Sequence, residues 1–162
     1  MVEQASAQNG GKKVQIVVDG DSCPVKAKIV EIAGRFGIHV LMVSSYDHVL
    51  QAEEGVTVVQ VDRSSQSADM YIANHVAKGD IVVTQDYGLA ALVIAKSCQC
   101  ISPRGRLYRP DQIDELLESR HLHAKARRSG RYSKGPKPFT AADREHFSAQ
   151  LTKLLEHLQE NV

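Results

Sequence analysis

The sequence predicts a three-layer α/β domain built on a mostly parallel central sheet, with a basic loop and a helix at its C-terminal end. Short β-branched runs alternate with helical stretches from residue 13 to residue 102, the rhythm that right-handed crossovers between parallel strands produce. Those runs are apolar along their length, as strands covered on both faces must be. The size agrees, since 162 residues with 43% hydrophobic side chains fill one core and leave no room for a multidomain machine.

Each element has its own signal. Residues 1–12 are polar and without periodicity, and read as a flexible leader to a single domain over residues 13–158. Val14-Gln15-Ile16-Val17-Val18 is a buried strand that gives way to a turn at Asp19-Gly20-Asp21-Ser22. Pro24 suits the first turn of a helix, and Val25, Ile29, Ile32, Ala33 and Phe36 continue it at helical spacing up to Gly37. Strands follow at Ile38 to Val43 and Val56 to Val61. A helix is expected from Ser67 to Ala77, with Asp69 in its first turn. Asp80 to Thr84 is a strand, with Asp80 itself a turn residue after Gly79. Leu89 to Lys96 is a helix, Cys98 to Ser102 a short strand, and Asp111 to Leu122 another helix. The Gly- and Pro-punctuated stretch up to Pro138 reads as a loop. Thr140 opens the last helix, where Asp143 suits a capping box and Phe147, Leu151, Leu154, Leu155 and Leu158 form an apolar stripe.

The net charge of +1 hides a segregation. Residues 1–100 carry eight Lys+Arg against eleven Asp+Glu, a net of −3, and residues 101–162 carry twelve against eight, a net of +4. Arg120 to Lys137 holds seven cations and no acid. Arg127, Arg128, Arg131 and Lys134 in that strip, with Arg104 in the Ser102-Pro103-Arg104-Gly105-Arg106 run, are candidate phosphate contacts, although charge runs are also ordinary solvated loops. There is no Trp, so a base-stacking platform is not expected. The three cysteines lack CxxC pairing, no secretory signal opens the chain, and the longest apolar run, Leu89 to Ala95, is too short to span a bilayer. These features predict a cytoplasmic protein with no membrane association. Cys23 reads as a buried small hydrophobe, and the spacing of Cys98, Cys100, His121 and His123 matches no common zinc site.

In open parallel sheets ligands bind outside the carboxyl ends of the strands, and acids gather there. Asp19 and Asp21 follow the first strand, Asp86 follows the fourth, and Asp69 opens the helix that leads into it. Any one of them also suits a turn or cap. Together they form a hard-oxygen set for Mg²⁺ or Mn²⁺ able to activate water for attack on a phosphodiester.

Asp19-Gly-Asp-Ser-Cys-Pro-Val-Lys26, Gly79-Asp-Ile-Val-Val-Thr-Gln-Asp-Tyr-Gly-Leu-Ala90, Ser102-Pro-Arg-Gly105 and Lys134-Gly-Pro-Lys-Pro-Phe139 resemble the uncharacterised bacterial YaiI/YqxD family over about residues 13–155. That family is in turn similar to PIN-like nucleases, whose Asp after strand one, acid at a helix start and Thr-x-Asp-x-x-Leu-Ala run resemble Asp19, Ser67-Ala-Asp-Met-Tyr-Ile72 and Thr84 to Ala90. The resemblance implies a Rossmann-like fold and a metal-dependent nuclease, acting on RNA in preference to DNA. It implies Asp19, Asp69 and Asp86 as catalytic metal ligands, with Asp21 as a fourth. Relatives often carry a second acid before the helix Asp, where this chain has Ser64-Ser65-Gln66-Ser67, so a two-metal set does not follow.

Two other classes compete. Asp19 and Asp21 after an apolar strand imitate the nucleophile and acid of haloacid-dehalogenase-like phosphatases, but Cys23 stands where those enzymes want Thr or Val, and Gly79-Asp80 precedes a strand instead of following one. The other is a non-catalytic RNA-binding module on the same fold.

Overall fold

The computed structural model describes residues 13–45, 53–62, 65–115, 118 and 137–160. The leader, the basic strip with Arg127, Arg128, Arg131 and Lys134, and the end of the expected 111–122 helix lie outside the described residues.

Six strands form one sheet: β1 (Gln15–Asp19), β2 (His39–Ser45), β3 (Val56–Val61), β4 (Ile81–Val83), β5 (Gln99–Ile101) and β6 (Leu107–Tyr108). Their order is β3-β2-β1-β4-β5-β6, and every pairing is parallel except β5 with β6. The helices are α1 (Lys26–Phe36), α2 (Ser65–His75), α3 (Tyr87–Ala95) and the C-terminal α4 (Ala141–Glu160), with residues 110–115 also helical. A 3₁₀ turn, Gly20–Ser22, links β1 toward α1. Among the described residues no helix is long and apolar enough to cross a membrane.

Strand alternation divides the core into two layers. Ile16, Val18, Val40, Ile81, Val83 and Ile101 face Ile29 and Ile32 of α1 and Phe147, Leu151 and Leu155 of α4. On the opposite face Val17, Val43, Val82 and Cys100 pack against Ala68 and Ile72 of α2 and Leu89, Ala90 and Val93 of α3. The predicted three-layer sandwich is therefore the observed one. Buried positions on α4 recur four apart at Phe147, Leu151 and Leu155, so a single stripe seats this long helix on the sheet.

Several boundaries differ from the sequence reading for local reasons. α2 starts at Ser65, two residues before the expected start, which moves Asp69 into the second turn. α3 starts at Tyr87 because the Asp86 side chain caps it through the Leu89 amide at 3.1 Å. β6 has only two residues and no local signal; it exists because the 102–106 turn folds it back on β5. Asp80 closes the 77–80 turn as expected, its amide donating to the Ala77 carbonyl at 3.0 Å, but it is buried. Only 1% exposed, it accepts hydrogen bonds from the amides of Gln15 at 3.2 Å and Ala77 at 2.9 Å. It thereby ties the start of β1 to the loop before β4.

Candidate active site

The order of the sheet reverses between β1 and β4. Both strands run in the same direction, and their carboxyl ends border the crevice where such sheets bind ligands. β1 ends on Asp19, which shares a face with Val17 by alternation. β4 leads into Thr84, 1% exposed. The Thr84 hydroxyl donates to Asp19 Oδ2 at 3.1 Å and accepts from the Asp86 amide at 3.0 Å. A single buried hydroxyl thus sets the positions of two acids that come from different strands.

The turn after β1 brings a third. Asp21 Oδ1 accepts from the Ser45 amide at the end of β2, 2.8 Å away, and Lys26 Nζ donates to the Gly20 carbonyl at 2.8 Å. Gly20 is required where it stands, since a Cβ there would lie 2.9 Å from the Val43 carbonyl oxygen. The turn lies flat across β2 only because that atom is missing.

These contacts have an electrostatic consequence. Burial raises the Asp19 carboxyl above its ordinary range, and the charges of Asp21 and Asp86 raise it further, while the Thr84 hydroxyl pulls the other way. Asp21 and Asp86 are thus both close enough to act on the Asp19 carboxyl. Asp69 belongs to α2, which covers the Asp19 face of the sheet, and it is half-buried near the middle of that helix. Among the described residues no three His, Cys, Asp or Glu side chains already stand in a metal-ligating group. The carboxylates of Asp19, Asp21 and Asp86 each accept a hydrogen bond from a protein donor. The donor chemistry fits a hard cation, because carboxylate oxygens are the ligands that Mg²⁺ and Mn²⁺ prefer.

Arg104 makes contacts that its sequence context does not announce. Its guanidinium meets Asp143 Oδ2 at 2.7 Å, reaches the carbonyls of Lys137 and Pro138, and lies over the Phe139 ring. It is engaged by the entry to α4 and remains partly exposed. Thr140 and Asp143 make the expected reciprocal cap, with amide bonds of 3.0 and 3.1 Å. All three cysteines are buried. Burial pushes the thiols of Cys23 and Cys98 up to about 11 and that of Cys100 higher still, so none is an activated nucleophile. Sequence reasoning overlooked Thr84 and Ser45. The Thr-x-Asp spacing of Thr84-Gln85-Asp86 held a signal for Thr84, since a hydroxyl two residues before a helix cap is placed for an ST turn.

Fold and site together define a Rossmann-like α/β domain whose topological switch point is lined by carboxylates. The chain belongs to the uncharacterised YaiI/YqxD family, whose model matches residues 17–157. It is similar to the UPF0178 protein RBAM_023530 of Bacillus velezensis, 46% identical over 145 residues that cover 89% of this chain and 86% of that protein. It is also similar to Lmo1456 of Listeria monocytogenes, 44% identical with coverage of 88% and 96%, and to BH1374 of Halalkalibacterium halodurans, 44% identical with coverage of 87% and 90%. Among solved structures, Rae1 (YacP) from Bacillus subtilis is similar at 18% identity and a TM-score of 0.39, covering 88% of this chain and 98% of that one.

Proposed function

We propose that this chain is a PIN-like, metal-dependent nuclease that hydrolyses phosphodiesters, of RNA in preference to DNA. The observation that carries the reading is the cluster at the switch point, where Asp19 is pushed toward its neutral form by burial and by two neighbouring anions. A fold accepts such a cost at a functional site more readily than elsewhere. Asp19, Asp21, Asp69 and Asp86 would hold Mg²⁺ or Mn²⁺, which when bound supplies Lewis-acid activation of water and of the phosphoryl group. The chain's own part is orientation. Thr84 aims the Asp19 carboxylate, the start of α3 fixes Asp86, and Ser45 holds Asp21 over β2. Arg127, Arg128, Arg131 and Lys134 would bear on the substrate backbone. RNA is favoured by the family resemblance.

A second reading, the non-catalytic RNA-binding module, is favoured by one observation: the three clustered carboxylates all serve as acceptors for protein donors. Labelled RNA incubated with purified protein and Mn²⁺ separates the two. The nuclease reading expects cleavage that chelation stops and that Asp19→Asn reduces at least about a hundredfold, the scale of a lost catalytic group. RNA binding without cleavage under varied metals favours the module, and phosphomonoester turnover lost in Asp19→Asn favours the phosphatase.

A further inference from the structure

The two edges of the sheet are built differently. β6 is two residues long and is followed or preceded closely by Arg106, Arg109 and Pro110, the short, charged and proline-bearing form in which natural edges are kept from pairing. β3 lies at the other edge and has none of these devices. Its six residues, Val56-Thr57-Val58-Val59-Gln60-Val61, include five β-branched side chains and neither a charge nor a proline. Its register with β2 runs through six consecutive pairs without a bulge.

The β2–β3 ladder leaves backbone groups over. The Val40 amide donates to the Gly55 carbonyl at 2.9 Å, and along a parallel pair the groups that face the neighbour recur on alternate residues. Thr57 and Val59 therefore face β2, while Val58 and Gln60 turn their amides and carbonyls outward. The Val56 amide is held by the Glu53 carbonyl at 2.9 Å. Among the described residues no strand pairs with the outer edge beyond that point.

Beside this edge, on the α1 side of the sheet, an apolar groove of about 260 Å³ opens between Val30 of α1 and Met42, Val56 and Val58 of the strands. It carries one charge of each sign. Lys26, the first residue of α1, borders it from the carboxyl end of the sheet, and Glu53, just before β3, borders it from the amino end. Such a groove is complementary to itself under a two-fold axis. Turning a second copy end for end brings its Lys26 toward this Glu53 and its Glu53 toward this Lys26.

We propose that the β3 edge is the interface of a homodimer, in which β3 pairs antiparallel with β3 of a second copy and the two grooves adjoin, with Lys26 of each facing Glu53 of the other. The outward groups of Val58 and Gln60 supply the backbone bonds of strand addition. The valines of the edge and the groove supply apolar area. An unrelated strand would satisfy the backbone alone, whereas a second copy also matches the charges.

Sedimentation velocity of the full chain over a range of concentrations, with amide exchange alongside, tests this. Wild type should sediment at twice the chain mass, and the amides of Val58 and Gln60 should exchange more slowly as concentration rises. Gln60→Pro removes an N–H that β2 does not use, a change edge strands tolerate, and should give a monomer. Lys26→Glu and Glu53→Lys should each raise the dimer Kd about tenfold. The double variant restores the pairing across the axis and should return Kd to within about threefold of wild type. A wild-type monomer overturns the proposal. So does a Gln60→Pro dimer as tight as wild type, exchange at Val58 and Gln60 that ignores concentration, or a double variant no tighter than the single ones. Should Gln60→Pro fail to fold, exchange and charge reversal decide without it.

Discussion

Asp86→Asn separates the two duties of residue 86. The carboxylate accepts the Leu89 amide at 3.1 Å as the N-cap of α3, and a carboxamide oxygen can accept the same bond, since Asn and Asp are equivalent caps. Without divalent ions the variant should lose no more than about 0.3 kcal/mol, whereas Asp86→Ala, which discards the acceptor, should lose about 1 kcal/mol. The charge is a separate matter, because Asp86 is one of the two anions that raise Asp19. Its loss removes a hard anionic donor from the cluster and should weaken Mn²⁺ binding about tenfold or more, the effect of roughly 1.4 kcal/mol. Thermal melting with and without Mn²⁺ reads both effects. An ion at about 100 times its Kd stabilises the fold by about 2.7 kcal/mol; with affinity cut tenfold the same concentration gives about 1.4 kcal/mol. For a domain of this size the difference is a melting shift smaller by roughly 3–5 °C. An Mn²⁺-induced shift in Asp86→Asn equal to that of wild type would show that residue 86 is a cap and nothing more, and would refute its place in a metal site.

Other outcomes follow from the same geometry. Asp19 has a raised carboxyl, so the fold binds more protons than the unfolded chain between the ordinary value of 3.8 and the raised one, and metal-free stability falls as pH climbs through that window. Asp19→Asn should therefore melt higher than wild type at neutral pH in EDTA, with the gap closing below about pH 3.8; a lower melting temperature at neutral pH would contradict the strain assigned to this carboxylate. Asp80→Ala strips the acceptor from the amides of Gln15 and Ala77 and should cost roughly 3 kcal/mol in urea unfolding, a cost below about 1 kcal/mol arguing against its role as a tie. Gly105→Ala forces a Cβ to 2.5 Å from His146 at a positive φ and should destabilise by roughly 1–3 kcal/mol, which chemical denaturation would miss only if α4 can lift off the turn.

The sequence and the structure agree where the signal is local. The β-branched runs at β1 to β5 and the stripe on α4 are set by burial on both faces or on one, and burial pattern is what composition records. The Thr140–Asp143 cap was legible for the same reason, with both partners three residues apart. What escaped notice depends on distant partners. Asp80 is the turn residue its context announces, but its bond to Gln15, 65 positions away, is visible only in the fold. Arg104 looks like a free cation until Asp143 arrives from 39 positions on. The candidate site falls between these cases. Its acids were legible because strands end on them, but Thr84 as their organiser was not, because a threonine at the end of a strand satisfies β-propensity without further cause.

Strand β1 is pinned at both ends by side chains that flank β4: Asp80 holds the Gln15 amide and Thr84 holds Asp19, each bond spanning 65 residues. A chain emerging from its N-terminus can pair β1 with β2 early, yet neither pin exists before residues 80–84 have been synthesised. Closing so long a loop is slow and comes after local structure. The arrangement of Asp19 against Thr84 therefore cannot be complete until the β1–β4 seam has closed.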